Sequence, residues 1–224
     1  MNMILGKDVA QVSSSPLSYT SRTKGYETII DGTAFCIYDT MGLNEGDAGR
    51  VPHWKAMSEL LTLIWQLNGI SLLVCCMRGS ITGNCQKNWI SIGKIMCRKK
   101  VPIIAVRTGL ELEENLDKGR DEMMKVLKAH RMHPKDLACV VSFPGNHNQH
   151  RELYEQSQRK LRTLIAGSYS RKFLWLEKEK WLDGTSHKVA FRPISRFFGS
   201  VFDVFVKEIG MPEDELKETL QQSL

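Results

Sequence analysis

Three short stretches carry side chains whose type and spacing suit nucleotide chemistry. The first is Asp39-Thr40-Met41-Gly42. A carboxylate three residues before a glycine can hold a metal-bound water while the glycine amide meets a terminal phosphate. A plain turn explains the same four residues. The second is Thr108-Gly109-Leu110-Glu111. A carboxylate placed like Glu111 can accept hydrogen bonds from a purine edge with two adjacent N–H donors, as guanine has. The competing explanation is an acidic residue at a helix N-terminus, which the helix dipole favours anyway. The third is Ser142, either a site hydroxyl or an ordinary loop serine.

The elements that must position these residues follow from hydrophobic periodicity. Residues 1–10 read as the end of a helix. Residues 25–31 and 33–38 read as two strands joined by Asp31-Gly32, a strong hairpin turn signal. Residues 54–67 have apolar side chains at helical spacing, including Met57, Leu60 and Ile64. Residues 70–76, 101–106 and 137–142 are apolar runs of strand length, and the first reads as a strand buried on both faces. Helices are expected at 88–99, 112–132 and 152–165. Strands alternating with helices over residues 26–166 predict a three-layer, mostly parallel α/β sheet. In such sheets ligands bind beyond the carboxyl ends of the strands, where Asp39, Thr108 and Ser142 are all expected.

Composition narrows the function classes. The 224 residues are 42% hydrophobic and 25% charged, which excludes disordered and fibrous chains. The net charge of +6 is concentrated. No acidic residue occurs between Leu60 and Leu110, while Arg78, Lys87, Lys94 and Arg107 are among the bases there. That pattern favours one face for an anionic ligand over a nucleic-acid surface. Arg98-Lys99-Lys100 is read as the basic end of a helix, complementing its dipole. The six cysteines lack C-x-x-C spacing and read as free thiols in a reducing, cytoplasmic setting, with Cys75 and Cys76 as buried packing residues. Residues 60–77 carry no charge, but Gln66, Asn68 and Gly69 interrupt them, so a helix, a turn and a strand fit better than a membrane span. His130 with His133, and His147 with His150, lack the further ligands that zinc requires.

Taken in order, Y-x-x-x-I-D-G-T, D-T-x-G-L and V-P-I-x-x-V-x-T-G-L-E resemble the P-loop GTPase (G-domain) superfamily. The likeness is greatest to fungal G-domain proteins related to the septin and AIG types, and it covers about residues 1–165. The resemblance implies an α/β G-domain-like unit over residues 1–166, followed by a mainly helical C-terminal extension over 167–224. It implies that Thr20 is the switch threonine, that Thr20 and Asp39 serve Mg²⁺, and that Gly42 meets the γ-phosphate. Thr108, Glu111 and Ser142 would form the guanine side. Gly109 and Glu111 replace the family's usual Lys and Asp there, and Phe143-Pro144-Gly145 replaces its last base-side motif.

The family's first strand and its G-x-x-x-x-G-K-[ST] loop have no counterpart in the 224 residues. GTP binding is therefore expected to be weak or absent, with a gap or unusual pairing beside the strand at 33–38. With a phosphate loop supplied, the implied reaction would be in-line attack of water on Mg²⁺-bound GTP. The alternative is a non-catalytic pseudo-GTPase that binds a protein partner or a second copy of itself. In the extension, residues 194–209 place their phenylalanines at helical spacing and are expected to pack back on the domain.

Overall fold

The computed structural model describes residues 1–10, 23–40, 42–43, 53–67, 69–96, 100–113, 115–170 and 212–214. Thr20 and the helix expected over 194–209 lie outside the described residues, as does nearly all of the extension.

The chain opens with a four-residue helix, α1 (Asn2–Leu5). Strands β1 (Lys24–Ile30) and β2 (Thr33–Asp39) pair antiparallel, in register from Ile30 with Thr33 to Lys24 with Asp39. Asp31 and Gly32 both adopt positive φ (48° and 76°), so the two-residue turn follows the twist of the hairpin as its sequence predicts. Helix α2 (His53–Gln66) buries Met57, Leu60 and Ile64 on one face. It stops before Gly69 (φ 141°), and the uncharged run then continues as β3 (Leu73–Arg78). Among the described residues no helix is long and apolar enough to cross a membrane.

Helix α3 (Gly83–Ile90) starts five residues before the expected position. Thr82 caps it by accepting a hydrogen bond from the Cys85 amide, so a good cap overrides the weak helix propensity of Gly83. A π-helical turn continues it (Ser91–Met96). Residues 97–99 lie outside the described residues, and with them the basic helix end. Strand β4 (Ile103–Thr108), helix α4 (Leu116–Ala129, capped by Asn115), strand β5 (Asp136–Cys139) and helix α5 (Arg151–Ser168) complete the described chain.

Strands β3, β4 and β5 form one parallel sheet with β4 in the centre, so the α/β character read from the sequence stands. Alternate side chains of β4 serve two cores. Ile104 and Val106 pack with α1, α5 and the hairpin, whereas Ile103 and Ala105 pack with Trp89, Met123 and Leu127 on the other face.

The hairpin is not part of that sheet. Strands β1 and β2 form a separate two-stranded sheet, and β2 makes no ladder with β3. The division falls where the sequence predicts a gap. It also corrects the expectation that residues 70–76 form a strand buried on both faces. The strand runs from 73 to 78, Leu73, Val74 and Cys75 are half-buried, Cys76 is exposed, and only Met77 is buried. The reason is topological: among the described residues β3 has a hydrogen-bonded neighbour on one side only.

The hairpin is held by side chains instead. Arg162 on α5 donates to the carbonyls of Ile4 and Ile29, tying α1 and β1 to one helix. Gln158 donates to the Met3 carbonyl at 2.9 Å. Phe35 of β2 meets Tyr169 edge to face, with ring centroids 5.2 Å apart.

Candidate functional site

Strand β4 delivers Thr108 as its last residue, and Gly109 (φ 78°) then turns the chain. A side chain at Gly109 would meet Arg78, since a Cβ there would lie 3.0 Å from Arg78 Nε. Leu110 is buried and anchors the turn, which a Glu113 amide to Leu110 carbonyl bond of 3.1 Å closes. Glu111 is thereby held at the strand-end edge, half-exposed. Because α4 begins only at Leu116, with Asn115 as its cap, Glu111 is not the acidic first turn of a helix. Attraction to the helix dipole does not explain its position.

Ser142 arrives from the neighbouring strand. The ladder extends past β5 through the Val140 amide, which donates to the Arg107 carbonyl at 2.9 Å. Val141 then donates to Ser157 Oγ of α5 at 3.0 Å, in a buried bond. These two anchors present Ser142, whose Oγ donates to Glu111 Oε1 at 3.3 Å. Two candidates 31 positions apart in sequence thus meet at the carboxyl edge of β4 and β5. Among the described residues Glu111 accepts no other hydrogen bond, so Oε2 remains available as an acceptor. Thr108 does not join them directly, since its hydroxyl donates across to the Met77 carbonyl at 3.4 Å.

Two arginines at this edge were visible in the sequence only as part of the acid-free stretch. Arg78 ends β3 and lies against Gly109. Arg107, in register with Met77 and Cys139, has a buried Nε with no hydrogen-bond partner. Both stand at the strand ends of the sheet that presents Glu111.

The metal-side candidates lie elsewhere. Asp39 ends β2 on the separate hairpin, half-buried, and accepts no hydrogen bond among the described residues. Burial raises its pKa, and the N-terminal ammonium partly opposes that shift. Gly42 is exposed, and the following Leu43 carbonyl accepts from Asn88 Nδ2 of α3 at 3.2 Å. Among the described residues no group of three or more His, Cys, Asp or Glu could hold a metal ion. Asp39 could supply one ligand for an ion whose remaining ligands came from a nucleotide and water, which is the way magnesium is commonly held.

Cys76 lies near Asp39 and is not the buried packing thiol expected. Its surface is open to solvent, yet surrounding protein desolvates the thiol and raises its pKa, with a further rise from the Asp39 charge and a lowering from the N-terminal ammonium. The adjacent Cys75 thiol is pushed up to about 12, mainly by burial. Compared with known proteins, the chain matches no family model and no curated sequence, so any functional reading of it rests on these residues.

Proposed function

We propose that this chain is a guanine-nucleotide-binding α/β protein that recognises the base more strongly than the phosphates. The observation that carries the reading is the meeting of Glu111 and Ser142 at the carboxyl edge of β4 and β5. A half-exposed carboxylate, whose two oxygens can each accept one hydrogen bond, suits the paired N–H donors of guanine, and adenine lacks that pair. Asp39 would hold Mg²⁺ through water once a nucleotide supplied phosphate oxygens, and Gly42 and Thr20 would belong to the phosphate side. The sequence has no G-x-x-x-x-G-K-[ST] loop, so the phosphates lack several charge-assisted hydrogen bonds of about 1.5–3 kcal/mol each. Affinity should then be weak and nearly independent of phosphate number.

Calorimetry with guanosine, GTP and ATP, with and without Mg²⁺, tests this. Guanosine and GTP should bind with similar, weak affinity and ATP should not bind. Glu111→Ala should remove the guanine preference, a loss of about tenfold or more for one charged hydrogen bond. Equal binding of ATP and GTP would overturn the reading, as would a Glu111→Ala variant that keeps the preference.

One observation favours a second reading, a pseudo-GTPase that acts as an interaction module. Asp39 and Glu111 stand on two sheets that do not pair, so no backbone ladder holds the phosphate side to the base side. Absence of binding to every nucleotide tested would select this reading.

A further inference from the structure

Strands β3 and β4 end alike. Arg78 and Thr108 are their last residues and lie side by side in register. The Thr108 hydroxyl donates to the Met77 carbonyl and so ties the two ends together. A glycine at positive φ follows each, Gly79 at 77° and Gly109 at 78°, so both chains turn at the same level. The surroundings of the two glycines differ. A Cβ on Gly79 would meet nothing within 4 Å. One on Gly109 would lie 3.0 Å from Arg78 Nε, 3.1 Å from Cγ and 3.5 Å from Cδ. The Arg78 side chain is therefore laid across the end of β4, in the space that a side chain at 109 would need. It rests on the turn that carries Glu111 two residues further on. Arg78 is exposed and Glu111 half-exposed. Among the described residues the two form no ion pair with each other, so both charges remain open to a ligand.

We propose that Arg78 is a specificity-determining residue of this site, donating its guanidinium fork to O6 and N7 of guanine while Glu111 accepts from N1–H and the 2-amino group. The inference rests on the guanine reading above and supplies the half of the base that Glu111 leaves unread. A carboxylate accepts only, so it reads only the donors of the base. The rim of guanine continues past N1–H to two acceptors, O6 and N7, and the planar fork of arginine matches that pair. Adenine presents a 6-amino donor and an N1 acceptor instead. Its donor would face Arg78 and its acceptor would face Glu111, so the two charges reject it together. Gly109 is what admits the fork, since any side chain there would displace Arg78 from the edge. An exposed arginine could instead serve the phosphates. Its contact favours the base, because Arg78 lies on the turn of Glu111.

The test is calorimetry on the full chain with guanosine, GTP and 7-deazaguanosine, in which a C–H replaces the N7 acceptor. The unmodified chain should bind 7-deazaguanosine about tenfold or more weakly than guanosine, the loss of one hydrogen bond to a charged donor. This comparison needs no substitution and so carries no risk of misfolding. Arg78→Ala should weaken guanosine and GTP by the same factor, about tenfold or more, and should bind guanosine and 7-deazaguanosine equally. Equal binding of the two nucleosides by the unmodified chain would overturn the proposal, and so would an Arg78→Ala variant that keeps its affinity for guanosine. In either case guanosine binding that is lost in Glu111→Ala would leave the guanine reading standing. Weakening of GTP but not of guanosine by Arg78→Ala would make Arg78 a phosphate contact and overturn the proposal. No guanosine binding by the unmodified chain would overturn the guanine reading and this inference together.

Discussion

Strands β4 and β2 are both rich in apolar residues, yet they end in different environments. Ile104, Ala105 and Val106 of β4 are essentially inaccessible, with paired strands on both sides and a core on each face. No residue of β2 is fully buried, and Ala34 and Cys36 are exposed. The difference lies less in composition than in the number of neighbours. A strand paired on both sides loses its edges and its faces together, whereas one paired on a single side depends on side-chain anchors. The hairpin's anchors are Arg162, the Phe35–Tyr169 contact and the shared cluster beneath it. The candidate site spans the same divide, with Glu111 and Ser142 on the continuous sheet and Asp39 on the anchored hairpin.

The largest effect should come from the continuous sheet. Ile104→Ala removes a fully buried side chain from the larger cluster and should lower stability by about 2–5 kcal/mol. Ile29→Ala on the hairpin, where the side chain is 66% exposed, should stay within about 0.5 kcal/mol. Urea denaturation of the two variants measures the contrast, and similar losses would break it.

A smaller effect should come from the anchor. Arg162→Ala takes away charged donors from two carbonyls and should cost about 1.5–3 kcal/mol, measured by the same urea denaturation. The loss should be local, with faster amide exchange in β1 and β2 and none in β4. Uniform loosening of both sheets would show that the hairpin and the parallel sheet unfold as one unit.

The smallest effect should come from Asp39. Burial raises its folded pKa above the unfolded value. Its contribution to stability is therefore fully present in acid, below the ordinary aspartate range, and is lost as pH rises through the raised value. Asp39→Asn should thus be more stable than the parent at neutral pH, and the advantage should vanish by about pH 3. Urea midpoints across that range check the sign. A less stable variant at neutral pH would show that the carboxylate has a partner there.

Much of the local structure was legible from residue order. Asp31-Gly32 specified the hairpin turn because few other pairs accept two successive positive φ values. The spacing of Met57, Leu60 and Ile64 specified the buried face of α2. The start of α3 was not read correctly, because the polar stretch after Thr82 hid a cap behind poor helix formers. Thr108, Glu111 and Ser142 were legible as strand-end residues, since apolar runs mark where strands stop.

The sequence by itself determined the order of most strands and helices, the hairpin turn and the approximate strand ends, because those properties depend on neighbours a few positions apart. Only the tertiary structure decided that the described strands divide into two sheets, that Cys76 is exposed, and that Ser142 donates to Glu111 while Thr108 turns to Met77. Strand pairing and side-chain contact join residues tens of positions apart. Their outcome depends on which edges find partners, and periodicity along one strand carries no information about the strand beside it.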